Sequence, residues 1–226
     1  MAQKRAAAPK RPRFHRQDIQ HILDELERAY PDVRSGLDFT NAFELLISTI
    51  LAAQCTDVRV NSVAAPMFVQ YPRPEDYVDM PLETLEQIIK PCGFYHNKAK
   101  NIIAACTMLV EEYGSAVPDS LDALQRLPGV GRKTANVVVS NAFGQAAIAV
   151  DTHVFRVSNR LGLADAANVE RTEEQLMRNI PKEKWSDAHH WLIWHGRRVC
   201  AARKPKCDIC TLTPWCKHYR QQSKEK

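Results

Sequence analysis

Leu127-Pro128-Gly129-Val130-Gly131-Arg132-Lys133-Thr134-Ala135 decides how the rest of the chain is read. A proline leads in, two glycines flank a valine, and a basic pair opens the apolar run Ala135-Asn136-Val137-Val138-Val139. Glycine accepts backbone angles that a Cβ forbids, so Gly-Val-Gly can turn tightly and bare its N–H groups. Those groups fall at a helix N-terminus, where the backbone dipole attracts anions such as phosphate. Spacing alone fits two readings, an ordinary connection between helices or a hairpin that grips a nucleic-acid backbone.

Outward from the hairpin the pattern is helical. Upstream, Leu121 to Leu127 reads as a short helix capped by Asp119 or Ser120. Before it, Ile102, Ile103, Cys106, Leu109, Val110 and Tyr113 share a helical face that Gly114 ends, and Leu82, Leu85, Ile88 and Ile89 form a shorter one. Pro72 and Pro74 read as a linker, and Asp57 to Tyr71 as a helix bent at Pro66. Asn41 with Glu44 makes a capping-box-like start for the helix through Leu51, and Ile19, Ile22, Leu23, Leu26 and Tyr30 line another before Pro31. Downstream come Val154 to Leu163, Val169 to Ile180 and Trp185 to Val199. The one strand-like piece is Ala146 to Val150, and no hairpin pairs it. The class is all-α.

The bulk numbers set outer bounds. The chain has 226 residues, 45% of them apolar, enough to bury a core. A net charge of +5 permits a polyanionic partner. No apolar run nears the roughly 20 residues of a membrane span. Seven cysteines without an apolar leader speak for a reducing compartment, read here as the cytoplasm, and against a disulfide scaffold. Residues 1–16 carry Lys4, Arg5, Lys10, Arg11, Arg13 and Arg16 with no acid, as a solvated tail, a phosphate-contacting one or an organelle transit peptide, which is also Arg-rich and acid-poor.

Cys200, Cys207, Cys210 and Cys216 are separated by six, two and five residues. Four thiols so close together suit a soft metal centre. Zinc ribbons usually show two Cys-x-x-Cys pairs and only one exists here, while the spacing also departs from the ferredoxin runs, so zinc and iron–sulfur both stand. Cys55 and Cys106 lie on apolar helical faces and read as core. Arg203, Lys204 and Lys206 stand between the first two clustered cysteines, where a rigid loop could offer them to phosphates.

Lys133 opens the helix after the glycines, and Asp151 follows the apolar Ile148-Ala149-Val150 and precedes Thr152-His153. A lysine at the positive end of a helix and partly shielded from water is pushed toward its neutral amine, the form that attacks a sugar carbon to give a Schiff base. A carboxylate beside it could take the amine's proton or stabilise a cationic sugar. Asp151 could equally cap the helix that starts at Thr152.

Taken together, the hairpin stretch, Val150-Asp151-Thr152-His153, Leu51-Ala52-Ala53-Gln54-Cys55-Thr56-Asp57 and the cysteine spacing resemble the endonuclease III family of bifunctional DNA glycosylases and abasic-site lyases. The resemblance runs from about residue 17 to residue 217. It implies a helix-hairpin-helix fold with a six-helix domain, residues 35–145, inserted into an iron–sulfur cluster domain built from 17–34 and 146–226. It implies a 4Fe–4S cluster on Cys200, Cys207, Cys210 and Cys216. It makes Lys133 and Asp151 the catalytic pair. Gln54 and Phe94 match the residues that enter the DNA stack, although the family more often has leucine at the place of Phe94. Gly129, Val130, Gly131, Arg132, Thr134, His153, Arg203, Lys204 and Lys206 fall among the expected DNA contacts. The implied partner is double-stranded DNA with a damaged pyrimidine or abasic site, bound by a monomer and away from membranes. Mismatch and pyrimidine-dimer glycosylases of the same superfamily, and a non-catalytic DNA-binding module, are the competing readings; Lys133 and a chain that stops at Lys226 speak against an adenine-mismatch enzyme.

Overall fold

A computed structural model describes residues 16–223. The basic residues Lys4 to Arg13 lie outside the described residues. Twelve α-helices and two 3₁₀ turns make up the described part, with no strand among the described residues. No helix there is long and apolar enough to cross a membrane.

The apolar side chains gather into two cores. One is built from α2 (Ala42–Leu51), α3 (Asp57–Gln70), α4 (Glu75–Val78), α5 (Leu82–Ile89), α6 (Tyr95–Tyr113), α7 (Leu121–Arg126) and α8 (Arg132–Phe143). The other joins α1 (Arg16–Ala29) to α9 (Thr152–Leu161), α10 (Val169–Asn179), α11 (Trp185–Arg198) and the loop before α12 (Lys217–Gln222). The chain therefore leaves the second core after α1, builds the first, and returns.

Local chemistry explains the boundaries. Helix α2 is buried on every side from Leu45 to Leu51, as a central helix must be. Its capping box is shifted by one residue: Asn41 Oδ1 accepts from Glu44 N (2.9 Å), but Glu44 Oε2 accepts from Thr40 N (2.6 Å). Helix α3 runs through Pro66 to Gln70. Ser120, not Asp119, caps α7, its Oγ accepting from Ala123 N at 3.2 Å. Gly114 and Gly144, at φ 56° and 65°, end α6 and α8 in the left-handed turn that glycine takes without steric cost. Two helices have no counterpart in the sequence reading. Helix α4 fills part of the expected proline linker, started by Asp76 Oδ2 accepting from Arg73 N (2.8 Å) and anchored by the fully buried Tyr77. Helix α12 follows the last cysteine. Residues 146–150 run without a partner strand, and Ile148 and Val150 are buried in the second core, so burial rather than pairing accounts for their apolar run.

Candidate active site and nucleic-acid interface

The hairpin between α7 and α8 is held from below by Leu127 and Val130, both buried. Val130 N donates to Leu127 O at 3.1 Å, closing the turn. Gly129 sits at φ 78°, and a Cβ there would come within 2.8 Å of Asn101 Cβ on α6. Glycine is thus required twice, by the backbone angle and by the approach of α6. Gly131 is the N-cap of α8 and offers no side-chain oxygen. The first N–H groups of α8 are left for an anion to satisfy.

Arg132, expected among the DNA contacts, has a partner within the protein. Its Nε and Nη2 form a bidentate pair with Glu173 on α10, at 2.7–3.1 Å, and the Glu173 side chain is only 6% exposed. A planar guanidinium matches a carboxylate in this geometry, so the arginine links the two lobes while its side chain stays half exposed.

A cleft of about 290 Å³ opens where the lobes meet. Lys133, Thr134, Asp151, Gln54 and His189 all line it. Lys133 is exposed, against the expectation of a partly shielded lysine. The cleft is open, so any shielding has to come from what enters it. Asp151 Oδ1 accepts from Val154 N at 2.7 Å and so caps α9 while lining the cleft.

Sequence reasoning missed four neighbours of this pair. Asp57 Oδ2 pairs with Arg197 Nη2 at 2.9 Å, and both line the cleft. His189 and His190 on α11 close its floor. Adjacent histidines on one helix were the available signal, but a single sequence does not say which face they take. His189 Nδ1–H donates to Ala149 O (2.7 Å), and burial lowers its proton affinity. His190 Nε2–H donates to Asn141 Oδ1 (3.0 Å). Burial, helped by the neighbouring His189, pushes His190 down to about 3. In the unfolded chain the same ring titrates near its ordinary value of about 6.5. Between these values the unfolded state binds the extra proton. This contribution to stability is therefore complete above about pH 6.5 and lost as the pH falls toward 3, at up to roughly 1.4 kcal/mol per pH unit. Thermal melts across that window should fall with acid, and less steeply in His190→Asn; an unchanged slope would place the acid sensitivity elsewhere.

Gln54 and Phe94 stand on separate loops and both adopt left-handed backbone, at φ 55° and 49°. Phe94 is 64% exposed. Non-glycine residues hold such angles only where the surroundings over-determine them, and they cluster at functional sites. His153, expected among the DNA contacts, is turned toward α11: its Nδ1 lies 3.1 Å from Arg156 Nη2 and against Gly196. Burial, the largest influence, lowers its proton affinity.

The four clustered cysteines are all free thiols lining one small pocket with Arg160 and His195. Arg160 Nη1 lies 3.5 Å from Cys200 Sγ, and His195 Nε2 lies 3.7 Å from Cys210 Sγ. Among the described residues, no three or more metal-ligating side chains are drawn together closely enough to hold one ion. A single zinc ion would need sulfurs within about 2.3 Å of one point. The donor set, four soft thiols lining a shared pocket with the Arg160 guanidinium against Cys200, suits a soft metal centre. Arg203, Lys204 and Lys206 are exposed on the loop between the first two of these cysteines, with Lys204 at φ 52°. Lys206 N donates to Val199 O (3.0 Å), pinning that loop to the end of α11.

The arrangement has close counterparts. Residues 47–182 match the HhH-GPD superfamily base excision DNA repair protein family. Endonuclease III of Bacillus subtilis (strain 168) is 50% identical over 208 residues, 92% of this chain and 95% of that protein. Endonuclease III of Escherichia coli (strain K12) is 46% identical over 197 residues, 87% and 93% of the two chains. A trapped covalent intermediate of an endonuclease III with DNA superposes with a TM-score of 0.88 at 49% identity, covering 92% of this chain and 99% of that one. The chain belongs to the endonuclease III family of helix-hairpin-helix base excision DNA repair proteins.

Proposed function

We propose that the chain is a DNA glycosylase and abasic-site lyase that removes oxidised pyrimidines from double-stranded DNA, acting as a monomer in the cytoplasm. One observation carries the reading: Lys133, at the first turn after the hairpin, shares a cleft with Asp151.

The residues divide the work. The open N–H groups of α8 hold a phosphate. Gln54 and Phe94 fill the space left when the damaged nucleotide is extruded, a step that costs a few kcal/mol and less for a poorly stacked lesion. Asp151 takes a proton from the Lys133 ammonium or stabilises positive charge on the sugar. The freed amine of Lys133 bonds to C1′ as the bond from C1′ to the base breaks. Ring opening gives the protonated Schiff base. Loss of a proton from C2′ then expels the 3′ phosphate, which cuts the strand 3′ to the abasic site. The phenyl ring of Phe94, larger than the leucine more common in the family, stacks as well as wedges and shifts the preference for the opposite base.

Cys200, Cys207, Cys210 and Cys216 would hold a 4Fe–4S cluster. When bound, the cluster cross-links the loop from Cys200 to Cys216 and fixes Arg203, Lys204 and Lys206 as phosphate contacts. The two lobes are taken as residues 17–34 with 146–226, and residues 35–145.

A panel of duplexes tests the reading. Thymine glycol and dihydrouracil should be excised and abasic sites nicked, while a uracil mismatch should be a poor substrate. Preferred excision of undamaged mismatched bases would overturn it. The purified protein should also absorb toward the blue end of the visible spectrum.

A further inference from the structure

Lys98 is a lysine in the core, 5% exposed on α6. Its Nζ donates to Leu51 O at 2.8 Å and to Cys92 O at 2.9 Å. Leu51 is the last residue of α2, and Cys92 is the last of the 3₁₀ turn Lys90–Cys92 that precedes α6. Carbonyls at helix ends have no partner within the helix, and a cation there also meets the negative end of the α2 dipole. The thiols of Cys55 and Cys92, hydrogen-bonded to each other, crowd the same ammonium.

Each of the two carbonyls lies just before one exposed, left-handed residue. Gln54 stands three residues after Leu51, and Phe94 two after Cys92. The two loops come from distant parts of the sequence and meet at one nitrogen. A buried ammonium is a costly way to fill space that a methionine or leucine would fill more cheaply, and burial holds Lys98 below the ordinary lysine value. What the ammonium adds over an apolar side chain is a fixed distance between two main-chain atoms.

We infer that Lys98 is a positioning residue that sets the separation of the Gln54 and Phe94 loops, so that both side chains enter the duplex as a matched pair. This rests on the reading of those two residues as the ones that fill the stack. Lys98 touches neither substrate nor the Lys133 cleft, so its effect belongs to the opening of the duplex and not to the chemistry on the sugar.

The test compares wild type, Lys98→Met and Lys98→Arg in two reactions. One is single-turnover excision of dihydrouracil from a duplex, which requires the stack to be opened. The other is cleavage at an abasic site in a single-stranded oligonucleotide, which does not. Lys98→Met should lose about tenfold in the first and stay within about twofold in the second, as expected for removal of a buried charged donor from two acceptors. A 2-aminopurine opposite the lesion, which brightens when wild type unstacks it, should brighten less with Lys98→Met and partly recover with Lys98→Arg. Equal losses in both reactions, or undiminished brightening, would overturn the inference. Where Lys98→Met does not fold, Lys98→Gln is read in the same way: its amide keeps a donor but is too short to reach both carbonyls, and an unchanged ratio of the two rates overturns the proposal. Failure of the wider reading shows separately, as absence of excision by wild type.

Discussion

Lys133→Gln is expected to abolish borohydride trapping on damaged duplex and to slow strand cleavage on the order of a thousandfold or more. The substitution keeps a polar, hydrogen-bonding side chain, though a shorter one, and removes the amine. Lys133 is exposed, so folding stability should stay within about 0.5 kcal/mol of wild type. DNA binding should persist, because the N–H groups of α8 are untouched. The loss of one cation should lower the salt dependence of binding by less than about one unit of slope. A trapping assay beside a binding titration therefore separates chemistry from affinity. Efficient trapping by Lys133→Gln would remove the lysine from the role of nucleophile.

Asp151 holds two functions in one carboxylate, and two substitutions part them. Asparagine caps a helix about as well as aspartate. Asp151→Asn should keep the bond to Val154 N and melt like wild type, while excision falls on the order of 10²–10⁴-fold from loss of the charge. Asp151→Ala should lose the same rate and in addition about 1 kcal/mol of stability, because the end of α9 loses its acceptor. Single-turnover rates and denaturant titrations measure the two effects independently. Full activity in Asp151→Asn would leave Asp151 with the cap alone.

Legibility followed the range over which each signal acts. The hairpin was readable because glycine at position 129 is a local backbone requirement, and α2 and α7 were readable because their caps lie within a turn of their starts. Helices α4 and α12, with four and six residues, are too short to display a period. The Arg132–Glu173 pair was not legible, because Glu173 sits on a helix of the other lobe and nothing near residue 132 announces it. The neighbours of His153, Arg156 and α11, were hidden for the same reason. Lys98 gave no sign at all: among the helical polar residues of α6, only its burial sets it apart.

The bonds across the cleft carry one more consequence. Arg132–Glu173 ties the start of α8 to the other lobe, while Asn141–His190 and Ser140–Ser186 tie its far end. Asp57–Arg197 adds a strut at the mouth. Helix α8 is thus an axle bolted at both ends, and the lobes have no free hinge about it. Closing the lobes about α8 would mean breaking these bonds. A duplex that bends to fit the cleft instead does so at on the order of 1–6 kcal/mol for a smooth bend of a short site. A duplex already softened by a lesion meets that demand more cheaply than an intact one, so the stiffness of the protein is itself a first test of the DNA.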